Sequence, residues 1–235
     1  MNTKSAKTFD MKQTWQNITT NYSHWLSFVF LMLIAVVINP SFLSFTNLTN
    51  QFVQGAITGI CAMGMSLVIS AGMIDLSVGS SVALISGLGV LLLNKTESIA
   101  LCLLFCLGFG LILGLINGVL VTKGNIAPFI VTLASFSAYR SIINQLGQGG
   151  PFTVSKTMYD GFRKIAAGRV MGIPNLMLIF ILITVITGII MSKTKFGRYV
   201  YAVGSNQQAA RLTGINVGRV KTLIYIYAGT LYGLA

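Results

Sequence analysis

Few side chains in this sequence can do chemistry, and their spacing argues against catalysis. Four acids and one histidine stand against sixteen lysines and arginines. Gly64-Met65-Ser66 is a bare G-x-S, but a serine nucleophile needs a neighbouring base. The only histidine, His24, falls at the inner end of the first apolar run, about a bilayer thickness from the far side. Tyr159-Asp160 and Asp75 make only a faint aspartyl pair, because Asp160 lies in a polar segment. No G-x-x-x-x-G-K-[ST] occurs, so the chain is not expected to hydrolyse ATP. Cys61, Cys102 and Cys106 all fall within apolar runs without metal-ligand spacing. Cys102 and Cys106 are one helical turn apart, which fits packing. No catalytic, metal-binding or cofactor-binding residue is assigned.

What remains suits passage or packing. Asp75 is the only acid placed at a span. Its carboxylate can cap the helix that follows, accepting from first-turn N–H groups at the positive end of the dipole. Alternatively it lines a polar path, the default reading of an intramembrane acid. Pro128 suits the first position of a helix. Arg140 then lies about 18 Å further along at 1.5 Å per residue, beyond the bilayer centre, able to snorkel outward or face a wet cavity. Under that placement Asp75 lies near the inner surface, away from Arg140. Thr132, Ser135, Ser137 and Asn144 add neutral hydrogen-bonding groups to the same run. A path for a polar solute needs such groups, and helix–helix contacts use them equally.

The elements that must position these residues are membrane spans. The 235 residues are 54% hydrophobic and 9% charged, against about 25% charged in soluble domains. The fold class expected is therefore an all-α polytopic membrane protein with the lipid bilayer as its surroundings. Apolar runs predict spans at 24–38, 48–72, 75–93, 99–121, 128–146 and 176–191, and an apolar run from Val220 to Ala235 makes six or seven. A tail at 1–23 precedes the transmembrane domain at 24–235. Threading by the positive-inside rule, with the N-terminus in the cytoplasm, puts Lys4, Lys7, Lys12, Lys123, Lys193, Lys195, Arg198, Arg211, Arg219 and Lys221 inside. Lys95, Lys156, Arg163, Lys164 and Arg169 fall outside. The bases lie mostly in loops and form no aromatic-interleaved patch, so no nucleic-acid partner is expected. The segment 148–175 becomes extracytoplasmic and 192–219 cytoplasmic. In the former, Met158, Phe162, Ile165 and Ala166 can share one helical face near basic residues. Those bases suit either a docking partner or lipid headgroups. Gly110, Gly114 and Gly118 form a packing ridge in the fourth span, and Gly55/Gly59 and Gly229/Gly233 repeat the spacing.

The most structured polar segment runs from Lys193 to Lys221. Ser205-Asn206-Gln207-Gln208 fits an S-x-x-Q capping box, with the Ser205 oxygen accepting from an early N–H and Gln208 reaching back. Gly214 suits the left-handed residue that ends a helix. A helix over 206–213 follows, with Ala209, Ala210 and Leu212 as a small apolar docking surface.

Gln208-Ala209-Ala210 followed by Gly214 resembles the "EAA…G" loop of ATP-binding-cassette (ABC) importer permeases, with Gln208 in place of the usual Glu. The wider run GSNQQAARLTGINVGRVK resembles the sugar branch of that family (ribose, galactose or xylose type), related to branched-chain amino acid permeases. Gly72-Met73-Ile74-Asp75-Leu76-Ser77-Val78-Gly79 is similar to its "GGIDLSVG" signature, and Pro128-Phe129-Ile130-Val131-Thr132-Leu133 to its "PPFIVTLG". The resemblance implies a monosaccharide importer subunit in a bacterial cytoplasmic (inner) membrane. It implies as partners an ABC ATPase subunit that binds the ATP, a second permease subunit and an extracytoplasmic sugar-binding protein. It makes Ser205, Asn206, Gln207, Gln208, Ala209, Ala210, Arg211, Leu212 and Gly214 a coupling helix docked on the ATPase. Asp75, Ser77, Gly79, Pro128, Thr132, Arg140 and Asn144 become structural or pathway residues. Members of the branch continue for several further spans, so this chain is expected to be C-terminally truncated relative to them. An ion-coupled carrier of a small polar solute is the competing class, and it usually has more buried ionisable or unwound-helix sites.

Overall fold

A computed structural model describes residues 23–235, so the expected tail lies, apart from Ser23, outside the described residues. Helix α1 spans Ser23–Ile38, and Asn39-Pro40 stops it. The Asn39 side chain accepts from the Ser41 N–H at 3.0 Å and opens a 3₁₀ turn, Pro40–Leu43. Helix α2 then runs Phe45–Ser70, three residues earlier than the hydrophobic pattern alone suggests. The Ser44 hydroxyl accepts from the Asn47 N–H at 3.3 Å, and the Asn47 side chain donates to the Phe42 carbonyl at 2.7 Å. The structure divides after Gln51, and the site residues all lie in the second part.

That second part is built from helices broken at glycines and caps. A Schellman motif ends α2: the Gly72 N–H meets the Ile69 carbonyl at 2.9 Å and the Met73 N–H meets Val68 at 3.0 Å, with Gly72 at φ +71°. An extended stretch to Ser77 follows, then α3 (Val78–Thr96), α4 (Ile99–Thr122) and α5 (Pro128–Leu146). Ser98 caps α4 by accepting from the Leu101 N–H at 3.4 Å, and proline opens α5 as expected. Helix α6 (Lys156–Ala167) leads into a hairpin of two-residue strands, β1 (Arg169–Val170) and β2 (Ile173–Pro174). Met171 and Gly172 have φ values of +52° and +84°, as a type I′ turn requires. This hairpin is the one departure from all-helical structure among the described residues. Helices α7 (Asn175–Lys193), α8 (Lys195–Ser205), α9 (Gln207–Leu212) and α10 (Val217–Leu234) complete the chain.

Four helices, α2, α3, α4 and α7, are long and apolar enough to cross a membrane by themselves. Two more helices pack along them. Helix α10 runs antiparallel along α4, with Thr222 against Gly118, Tyr225 against Gly114, and Gly229 and Gly233 against Gly110. A Cβ on Gly110 or Gly114 would collide with the α10 backbone and one on Gly118 would press on Thr222, so the ridge is what lets the backbones touch. Helix α5 lies on α3, where the side chains of Ile143 and of Phe152, in the loop that follows α5, fill the space above Gly87. Both helices carry polar residues on the faces they bury, which lowers their apolar content. Of the other glycine pairs, Gly229/Gly233 does pack, whereas Gly55 faces open space and Gly59 meets only the Phe180 ring. Cys102 sits in the α3–α4 seam, its thiol 3.3 Å from the Gly89 carbonyl, a packing role.

The exposure pattern is that of a membrane protein. Helix α7 buries only Thr187, leaving Leu182 58% and Ile189 53% exposed. Asp75, Ser77, Asn117, Thr132 and Ser135 are buried instead. Apolar outside and polar inside is the arrangement that a hydrocarbon solvent selects.

Candidate functional site

The segment between α7 and α10 holds two helices where the sequence suggested one. Thr194 caps α8, its hydroxyl accepting from the Gly197 N–H at 3.2 Å. Val200 and Val203 bury one face of α8. Gly204 lies so close to the Ser70 carbonyl at the end of α2 that no side chain fits there. Ser205 is therefore the last residue of α8, and the expected Ser205 capping box does not form. Asn206 takes that role: its Oδ1 accepts from the Gln208 N–H at 2.9 Å and the Ala209 N–H at 3.0 Å. At the other end Gly214, at φ +82°, closes a Schellman motif with Gly214 N–H on Arg211 and Ile215 N–H on Ala210, both at 3.0 Å.

Helix α9 is thus a rigid projection with two different faces. Ala210 points inward, 4% exposed, and belongs to the core, so it does not form the outward apolar surface expected of it. Leu212 is 90% exposed, and Gln208, Ala209 and Arg211 are exposed beside it. Gln207 turns back, its Oε1 accepting from the Lys221 ammonium at 2.9 Å and tying α9 to the first turns of α10.

Asp75 does not cap α3. Helix α3 starts at Val78 after Ser77, and the carboxylate turns onto residues of its own loop and of α10. Its Oδ1 accepts from the Ser77 N–H at 2.8 Å and the Ser77 hydroxyl at 2.6 Å, and Oδ2 accepts from the Tyr232 hydroxyl at 3.2 Å. That local turn keeps the stretch extended. Ala71, Met73, Asp75 and Ser77 are buried, while Gly72, Ile74 and Leu76 between them are exposed. Tyr232 stands about 22 Å along α10 from Val217, and its side chain slants back toward that start. Non-helical backbone inside a bundle needs internal partners, and the Tyr225 hydroxyl supplies one to the Ile74 carbonyl at 3.1 Å.

The carboxylate anchors a longer row of donors. The Ser135 hydroxyl on α5 donates to Asn117 Oδ1 on α4 at 2.6 Å, and Asn117 Nδ2 donates to the Ser77 hydroxyl at 3.1 Å. Three helices and the extended stretch are thereby stitched together across otherwise apolar contacts. Tyr139, one turn from Ser135, keeps a buried hydroxyl that has no hydrogen-bond partner among the described residues. Asn117, Tyr225 and Tyr232 were not among the expected site residues. The one available signal was Asn117, the single amide within the apolar run of α4.

Other expected positions separate. Thr132 is fully buried and its hydroxyl returns to the Pro128 carbonyl at 2.8 Å, a structural role for both residues. Gly79 faces open space, and nothing around it requires glycine. Arg140 and Asn144 line a cavity of about 490 Å³ between α3 and α5, with Ser86, Phe152 and the Gly149-Gly150-Pro151 turn. In α6, Met158, Phe162 and Ile165 are the half-buried positions, as the pattern suggested, whereas Ala166 is exposed. Asp160, Arg163 and Lys164 lie together on its outer side. Among the described residues no cluster of three His, Cys, Asp or Glu side chains forms.

Comparison with known proteins agrees with this architecture. Residues 47–235 match the family described as branched-chain amino acid transport system / permease component. The ribose import permease of Bacillus subtilis (strain 168) is 39% identical over 235 residues, all of this chain and 73% of that protein. That of Escherichia coli (strain K12) is 34% identical over 208 residues, 87% of this chain and 65% of that protein. The fructose import permease of Bifidobacterium longum (strain NCC 2705) is 31% identical over 224 residues, 89% of this chain and 62% of that protein. The chain thus spans from 62% to 73% of the length of these relatives. No solved structure matches. With its lipid-exposed apolar helices, buried polar row and capped projection between α8 and α10, this multi-pass chain belongs to the family of membrane permease components.

Proposed function

We propose that the chain is a transmembrane subunit of an ATP-driven importer of a monosaccharide, of the ribose type. In this reading α9 is the coupling helix and seats Leu212 in a groove of a separate ATPase subunit. The observation that carries it is the contrast across that helix: Ala210 is locked into the core, while Leu212 is 90% exposed on a helix fixed at both ends. A leucine held out of the membrane without a partner costs about 1.5–3 kcal/mol relative to a buried one, so a docking partner accounts for it. The basic residues in and around α9 (Lys193, Lys195, Arg198, Arg211 and Arg219) support a cytoplasmic position for it, and with it a cytoplasmic N-terminus.

Force from ATP-driven closure would enter at Leu212. Gln207 and Lys221 pass it to α10, the glycine seam passes it from α10 to α4, and Tyr232 passes it to the Asp75 stretch. The Arg140–Asn144 cavity would form part of the sugar path, offering a guanidinium, an amide and the Ser86 hydroxyl beside the Phe152 ring. A second permease subunit would complete that path, and an extracytoplasmic binding protein would deliver the sugar near α6.

The test is reconstitution of the chain with candidate ATPase and binding-protein partners, reading ribose uptake into vesicles. Leu212→Glu places a charge on the solvent side of α9. Loss of about 1.5–3 kcal/mol of docking corresponds to roughly tenfold to 100-fold weaker association. Uptake should fall accordingly at unchanged membrane abundance. Uptake driven by an ion gradient without ATPase or binding protein would favour a secondary carrier instead.

A further inference from the structure

At the α9 end of the bundle, α4 and α10 border a groove of about 580 Å³. Lys123 and Arg219 stand exposed at its mouth. Its floor is closed by the Thr122 and Thr222 hydroxyls, 3.0 Å apart. Leu115, Val119 and Leu223 line its wall, with Leu115 and Leu223 38% and 50% exposed. Leu115 lies about 12 Å along α4 from Lys123 at 1.5 Å per residue, so an apolar trough leads from a cationic mouth into the hydrocarbon slab. Asn216 borders the mouth with its Oδ1 engaged by the Arg219 N–H at 3.0 Å, which leaves its amide NH₂ as the group able to donate.

These features specify their occupant. A protein helix laid in the trough would cover two cations, which is costly unless it brought acids of its own. A zwitterionic headgroup brings a compensating cation. An anionic headgroup with a hydrocarbon tail satisfies both ends of the groove at once. We propose that this groove binds an anionic phospholipid of the leaflet on the α9 side, its phosphate between Lys123 and Arg219 and its first acyl carbons against Leu115, Val119 and Leu223. The site does not depend on which solute is carried or which side of the membrane α9 faces.

Native mass spectrometry of the full chain in detergent, titrated with phosphatidylglycerol or phosphatidylcholine, tests the site. Each cation near the membrane surface is worth about fivefold in anionic-lipid binding. The double variant Lys123→Ala/Arg219→Ala should therefore lose phosphatidylglycerol by roughly 25-fold. Lys123→Arg/Arg219→Lys, which keeps both charges, should retain it and controls for folding. Lys95→Ala/Lys156→Ala, at the other end of the bundle, should leave it unchanged. Equal retention of phosphatidylcholine, or an alanine pair that holds phosphatidylglycerol as well as the unmodified chain, would overturn the proposal. So would displacement of the lipid by inorganic phosphate, or a photoreactive side chain at Leu223 that captures protein rather than lipid.

Discussion

Replacing Asp75 by alanine removes three acceptor contacts at once, and their geometry sets the expected loss. The Ser77 N–H lies just ahead of α3, bonded to the carboxylate at 2.8 Å, and has no helical carbonyl to fall back on. Leaving such a buried donor unpaired costs about 1–3 kcal/mol. The Ser77 and Tyr232 hydroxyls, at 2.6 and 3.2 Å, can rotate, so each adds only about 1 kcal/mol. The total is about 3–5 kcal/mol, dominated by one backbone group. Asparagine keeps Oδ1 for both Ser77 contacts, and its NH₂ can donate to a rotated Tyr232 hydroxyl, so Asp75→Asn should cost about 1 kcal/mol. Thermal unfolding in detergent, followed by size exclusion, separates the two. At about 2–4 °C per kcal/mol for a chain of this size, Asp75→Ala should lower Tm by roughly 6–20 °C and Asp75→Asn by roughly 2–4 °C. Equal shifts for the two variants, or an alanine variant as stable as the unmodified chain, would refute the carboxylate's role as the acceptor that holds the stretch extended.

Further outcomes follow from the same contacts. Gly114→Leu should abolish the folded, monodisperse protein, because its side chain meets the Tyr225 carbonyl of α10; Gly79→Ala, in open space, should leave the size-exclusion profile unchanged. Asn206→Ala should loosen α9 by about 1 kcal/mol through loss of its cap. Gly214→Ala, forced to φ +82°, should cost about 1–2 kcal/mol. Both should speed hydrogen exchange at Ala210 and Thr213 without dissolving the bundle.

The spans were legible because hydrocarbon imposes length and composition, and the α4 ridge because close approach demands glycine. Where polar side chains compete with backbone, the pattern misleads. The Asp75 carboxylate can cap a helix or fold onto its own loop, and Ser77 two residues on, with Tyr232 far along the chain, decides for the second. Ser205 satisfies a capping pattern, yet α8 continues through it because Gly204 must press against Ser70, and the next competent oxygen belongs to Asn206. The inward turn of Ala210 reflects tertiary packing that no local spacing encodes. Tyr225 and Tyr232 sit more than 150 residues from their partners, so their roles needed the fold. Helix α5 shows both sides: proline at its first position announces where it begins, but Thr132 and Ser135 resemble pathway groups until their buried partners are seen.

Photo-cross-linking from position 212 in the assembled transporter addresses the docking of α9 most directly. A benzoylphenylalanine there should capture the ATPase subunit, while the same probe at Leu104, 68% exposed on the lipid-facing side of α4, should capture only lipid. Capture of lipid alone from position 212, with the ATPase present and bound, would contradict the proposal that force enters through this helix.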